Sequence, residues 1–248
     1  MTVLSFFGCT FIAFGPSVAM FALTVAPDAQ QVIVFISSAF CWLLSLLATS
    51  LLWLGIQHVV GRLIIMVLIS VLFQELFRFV LWKIVRRAEA GLIEMTNNHS
   101  PYRKLYFHYV AGLGFGFMSG LFAMVNILAD TSGPGTLGLN GHDPNFAVIS
   151  AFLTNCMILL NTFWGIVFFE GLDYRKWIHI IAVPVSHVLV SCLTLLNEQQ
   201  IYWPALTVGY TLTVIFGLWS YLCVGGSIEN LKRVFTARHT STSLLDNN

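Results

Sequence analysis

Glu75 and Arg78 stand three residues apart inside an apolar run, in Gln74-Glu-Leu-Phe-Arg78. A lone charge at mid-bilayer costs about 2.5–3.5 kcal/mol on insertion scales, so charges placed there need a partner or a purpose. Residues three and four apart are neighbours on a helix surface; Arg78 can therefore pair with Glu75 or with Gln74. Two outcomes are open. Either the pair neutralises itself while Arg78 reaches up to the interface, or the group faces the bundle interior and anchors a partner helix or loop. Farther along, Ser119, Asn126, Asn161 and His187 add a hydroxyl, two amides and an imidazole to apolar surroundings. Serine and histidine together could supply nucleophile and base, as in a rhomboid-like intramembrane serine protease. The nucleophile motif of that class, GxSG, needs glycine at 117, where this chain has Phe117. His187 is followed by Val-Leu-Val-Ser-Cys-Leu rather than by the glycines that would let serine and histidine meet. An aspartyl mechanism needs two carboxyls sharing a proton, and no expected span interior holds an Asp.

The elements that position these groups are helices in a membrane. The 248 residues are 57% hydrophobic and 9% charged, against about 25% charged in soluble domains. The fold class is all-α: a polytopic integral membrane protein with seven transmembrane helices. Spans are expected at about 4–25, 32–57, 63–81, 106–128, 146–169, 177–196 and 203–224, each long enough for a bilayer core of about 30 Å. Residues 1–230 form this domain, and 231–248 a short cytoplasmic tail expected to be disordered. No Lys or Arg precedes Arg62, which argues for a first membrane helix over a signal peptide. Gly15-Pro16 within it is a site for a kink, because Pro16 removes a backbone donor.

Between the spans, His58-Val-Val-Gly-Arg62 reads as a very short turn. Lys83–Lys104 reads as the largest polar loop, and Glu170–Lys176 as a short charged connector. Asp130-Thr-Ser-Gly-Pro-Gly135 is expected to break the fourth helix. All five cysteines lie in apolar segments without metal-ligand spacing, so neither disulfides nor a metal site is expected. No cofactor or nucleic-acid partner is indicated.

Charge orients the chain. With the amino terminus lumenal or extracellular, the cytoplasmic segments carry Lys83, Arg86, Arg87, Arg103, Lys104, Arg175, Lys176, Lys232, Arg233 and Arg238. The outer segments carry only Arg62. Positive residues concentrate on the cytoplasmic side, which puts the carboxyl terminus inside.

The fourth span holds Gly112-Leu-Gly-Phe-Gly116-Phe-Met-Ser-Gly120. Residues four apart advance by about 40° around a helix, so Gly112, Gly116 and Gly120 wind slowly along one side. Ser119 widens that strip, and Asn126 returns to the side of Gly112. A strip without side chains lets another helix approach backbone to backbone. Leucine at Gly116 is expected to be worse than alanine there, and worse than leucine at Gly114, about 160° away around the helix. Asn161 and His187, about 14 and 10 residues along their spans, fall within roughly 6 Å of one depth, close enough to share a polar cluster.

Several stretches resemble the Aph ("anterior pharynx defective") family. They are Phe6-Phe-Gly-Cys-Thr-Phe-Ile-Ala-Phe-Gly-Pro16, Gln74-Glu-Leu-Phe-Arg-Phe79, the triple-glycine repeat, Asn126-Ile-Leu-Ala-Asp130 with Gly133-Pro-Gly135, and Thr162-Phe-Trp-Gly-Ile-Val-Phe-Phe169. The resemblance runs in order over nearly the whole chain. It implies the non-catalytic, seven-span scaffold subunit of gamma-secretase, which assembles presenilin and nicastrin with the presenilin-enhancer subunit for cleavage of substrates such as Notch and amyloid precursor protein. It also implies residence from endoplasmic reticulum and Golgi to plasma membrane and endosomes. The family's glycine motif falls on Gly112, Gly116 and Gly120, and its histidine of the sixth span on His187. Its histidine of the fifth span falls on Asn161, which keeps hydrogen bonding but cannot titrate. A seven-helix receptor lacks its expected Asp-Arg-Tyr and Asn-Pro-x-x-Tyr motifs here, and a transporter its internal repeat.

Overall fold

A computed structural model describes residues 3–56, 63–96, 101–132 and 145–227. Seven long helices follow one another: α1 (Val3–Met20), α2 (Ala29–Ile56), α3 (Leu63–Thr96), α4 (Pro101–Ser132), α5 (Phe146–Tyr174), α6 (Trp177–Thr194) and α7 (Trp203–Cys223). Each is long and apolar enough to cross a membrane, where backbone donors and acceptors must be satisfied within the segment. A π-helical turn, Phe21–Val25, extends α1, and a 3-10 turn, Leu195–Gln199, extends α6. α1 stays helical through Pro16, and α6 through Pro184.

α5 is the axle of the bundle. From Leu160 to Gly171 every residue except Phe163 is buried, as expected of a helix apolar on all sides. α1, α4, α6 and α7 pack around it, while α2 lies against α4, and α3 against α2 and α6. The outer faces carry exposed apolar side chains such as Phe11, Leu23, Ile33, Leu51 and Val185, which suit hydrocarbon.

Two expected connectors are largely helical among their described residues. Lys83–Thr96 continues α3, because Lys, Arg, Glu, Ala and Leu are strong helix formers and Arg86 pairs with Glu89 one turn on, at 2.9 Å. Pro101 is the first residue of α4, where its missing N–H is least costly. Glu170–Tyr174 forms the last turn of α5. That helix stops where Arg175 turns left-handed (φ 55°) and Lys176 N–H donates back to the Gly171 carbonyl at 2.9 Å, a Schellman-type closure. α4 ends at Ser132, inside the Asp130–Gly135 stretch expected to break it. The turn at 57–62, Asn98, residues 133–144 and the tail from 228 lie outside the described residues.

The ends of α1, α3 and α5 and the start of α4 meet at one end of the bundle, where Tyr106 and Tyr109 bond Thr24, and His108 faces Asp173. Apart from mid-bundle Arg78, the described Lys and Arg residues lie on helix segments or connectors at that end.

Candidate functional site: a glycine seam and a buried ion cluster

The strip on α4 packs against α5 of the same chain. A Cβ placed on Gly112 would lie 2.6 Å from the Thr162 carbonyl oxygen, and one on Gly116 2.7 Å from that of Ile158. Gly120 would meet the Ile158 Cδ1 at 2.5 Å. Side chains are not found so close to backbone, so at 112 and 116 even one methyl forces the helices apart. α5 returns the gesture with Gly165, whose Cβ would lie 2.7 Å from Gly112 Cα. Alanine at 112 or 116 therefore already meets backbone, and leucine there would meet more of it; at 120 the neighbours are side-chain atoms of Ile158 and Thr154.

Gly114 is also corrected. It faces the opposite side, as the helix angle demands, but that side is covered: a Cβ there would collide with Ser38 Oγ and the Phe35 carbonyl of α2. α4 thus has two backbone contacts, α5 on one face and α2 on the other. Gly114 is no neutral control.

The ionisable pair in the middle of α3 faces inward. Arg78 is 1% and Glu75 8% exposed, so Arg78 does not reach for the interface. Arg78 Nε donates to Glu75 Oε2 at 3.1 Å, Nη2 to Asn161 Oδ1 at 2.7 Å and Nη1 to the Asn161 carbonyl at 3.3 Å. Its guanidinium lies over the Phe115 ring at 4.8 Å from the centroid. Glu75 Oε1 meets His187 Nδ1 at 2.6 Å, and the imidazole packs on Trp164 with centroids 4.7 Å apart. Asn161 and His187 are joined through two intermediaries: Asn161–Arg78–Glu75–His187 ties α5, α3 and α6 together.

Asn161 completes its valence with Nδ2 donating to the Met157 carbonyl at 2.9 Å and to Ser119 Oγ at 3.5 Å. Ser119 thus answers to Asn161 and His187 to Glu75, which is not the arrangement of a serine nucleophile and its base. A cavity of about 240 Å³ opens beside the cluster, bordered by Gln74, Ser119, Thr154, His187, Ser191 and Thr194 among others. Gln74 does not bond Arg78; it accepts from Trp42 Nε1 at 3.3 Å and donates to Ser70 Oγ at 3.2 Å. Asn126 is exposed. Its helix angle matches Gly112, but most residues of α4 beyond Gly120, such as Leu121, Phe122 and Val125, emerge from the bundle.

A second polar joint escaped the sequence reading. Asp173, with a fully buried carboxyl, accepts from Trp82 Nε1 at 2.9 Å, lies 3.2 Å from Arg86 Nε, and faces buried His108 Nε2 at 3.3 Å. The clue in the sequence was the spacing of Arg78, Trp82 and Arg86, four residues apart and so on one face of α3.

A family profile described as "Aph-1 protein" matches residues 4–227. The chain is 44% identical to "Gamma-secretase subunit Aph-1b" of Danio rerio, over 96% of this chain and 95% of the relative. It is 43% identical to "Gamma-secretase subunit Aph-1" of Drosophila melanogaster, over 96% and 100%. Against "Gamma-secretase subunit APH-1B" of Homo sapiens the figures are 40% identity over 94% and 93%. The matched stretch spans the residues of the glycine seam and of the buried ion chain, with Asn161 where the family has histidine, and the chain belongs to the Aph-1 family.

Proposed function

We propose that the chain is the scaffold subunit of a gamma-secretase, without catalytic groups of its own. In this role it holds presenilin and nicastrin in register with the presenilin-enhancer subunit, and presenilin supplies the aspartates that cut substrates such as Notch and amyloid precursor protein. The observation that carries the reading is likeness to gamma-secretase subunits along nearly the whole chain, joined to an interior that makes a frame. The glycine seam fixes α4 on α5, and the ion chain fixes α3 and α6 on α5, so the outer faces are presented at set angles. Asp173, on the last turn of α5, is engaged by Trp82 and Arg86, which suits a joint better than a protease carboxyl.

The membrane orientation belongs to the same proposal: amino terminus lumenal, carboxyl terminus cytoplasmic, and transit from endoplasmic reticulum and Golgi to plasma membrane and endosomes. The gathering of described cations at one end supports it. The test is mass spectrometry of proteins that co-purify with the full chain in mild detergent. Presenilin and nicastrin in the eluate are expected. A G protein or a cleaved reporter peptide without presenilin would overturn the assignment.

A further inference from the structure

We propose that the corner between α5 and α6 is a binding site for the headgroup of an anionic glycerophospholipid. A cavity of about 540 Å³ lies there, lined by Lys176, Trp177, Ile178, His179 and Trp219. Its size suits a headgroup with its glycerol rather than a few waters. Lys176 spends one N–H on buried Glu170 at 3.0 Å, leaving two of its three donors for a phosphate. Arg175, next in sequence and exposed, adds a second cation, so the corner keeps a positive charge after Glu170 is balanced.

The far wall is fixed by Trp219 Nε1, which donates to His179 Nε2 at 3.3 Å with the rings edge to face. Tyr174 and Trp177 are 61% and 72% exposed, as interfacial aromatics are at headgroup level. Away from the cavity, Ile181 and Val185 on α6 and Leu218 and Leu222 on α7 are exposed and offer an apolar path for an acyl chain. Charge at the mouth with a greasy path below fits a lipid better than free phosphate, which has no use for the path.

The experiment uses the full chain in nanodiscs of mixed phosphatidylcholine and phosphatidylserine, followed by native mass spectrometry of the lipids kept after release. The wild type is expected to retain phosphatidylserine preferentially. Arg175→Gly removes one cation while supplying glycine at a left-handed position, so the fold is kept, and it should lower that preference about fivefold. The double variant Glu170→Gln with Lys176→Gln avoids an unpaired buried carboxylate and should do the same. Lys83→Gln with Arg87→Gln, exposed cations on α3 at the same end, should leave it unchanged. Equal loss in the α3 variant would mean diffuse surface charge and would overturn the site. So would equal retention of both lipids by the wild type, or a partner protein crosslinked at Trp177 in place of lipid.

Discussion

Arg78 Nη2 and Asn161 Oδ1 are 2.7 Å apart, and the same guanidinium reaches the Asn161 backbone carbonyl through Nη1. One asparagine thus takes two of the arginine's contacts and fixes α3 against the most buried stretch of α5. Asn161→Leu keeps the branched shape, with somewhat more bulk, but removes the side-chain acceptor, stranding a buried donor. The expected loss is about 1.5–3 kcal/mol, read as reduced thermal stability of the purified chain; an unchanged melting temperature would show that the carbonyl contact alone suffices.

Removing one member of the Glu75–Arg78 pair should hurt more than removing both. Arg78→Leu leaves a buried carboxylate facing only His187, at a cost of about 3–5 kcal/mol. The double variant with Glu75→Leu removes both charges and should fold better, yet still weaken presenilin recovery in co-precipitation, because α3 loses its tie to α5 and α6. Normal recovery with the double variant would make the pair a matter of insertion only.

Five glycine-to-alanine variants should separate by what each new methyl meets. Gly112→Ala and Gly116→Ala strike backbone on α5, and Gly114→Ala strikes α2, so all three should lower the yield of folded protein and of complex. Gly120→Ala meets side-chain atoms of Ile158 and Thr154 rather than backbone and should be milder. Gly91→Ala, with nothing within 4 Å, should be neutral or gain about 0.5–1 kcal/mol from reduced backbone freedom. A loss at Gly91 matching that at Gly116 would show that packing does not set the order.

Asp173→Ala should loosen the inner part of α3 without disturbing the mid-bundle cluster. Trp82 and buried His108 lose their partner, while half-exposed Arg86 keeps Glu89 at 2.9 Å. A loss of about 1–3 kcal/mol is expected, with faster hydrogen exchange in residues 82–91 than in 63–78. Uniform exchange along α3 would argue against a local joint.

Orientation has its own test. Asn98-His-Ser100 is the only glycosylation sequon; it lies outside the described residues and, by the charge argument, in the cytoplasm. No mobility change on endoglycosidase treatment is expected, and a shift traced to Asn98 would reverse the topology.

The seven helices were legible because lipid forces apolar runs into helices, and composition marks such runs plainly. Their ends were not, since charged residues from Lys83 to Glu94 read as loop by polarity while being good helix formers with in-register pairs. The direction of the glycine strip followed from helix angle alone. That Gly114 is also covered did not, because an angle tells which way a face points and not what stands opposite. The same limit hid that Asn126, on the side of Gly112 by angle, is exposed. Glu75 with Arg78 was visible as a costly pair, but its path through Asn161 to His187 needed the relative depth and rotation of three helices. Asp173 was hidden by its position beside charged residues, which made a buried hub look like a solvated connector.

The three-residue spacing of Glu75 and Arg78 has a consequence for how the protein is made. Arg78 emerges from the ribosome 83 residues before Asn161, and Glu75 112 residues before His187. At about 5–20 residues per second, α3 must wait several seconds or more in the membrane before its later partners exist. During that interval its own carboxylate, one turn away, is the counter-ion that travels with it. The intrahelical bridge therefore serves as a chaperone built into the segment: it lets α3 enter lipid without a bare charge, then yields part of its arginine to α5 once α5 arrives.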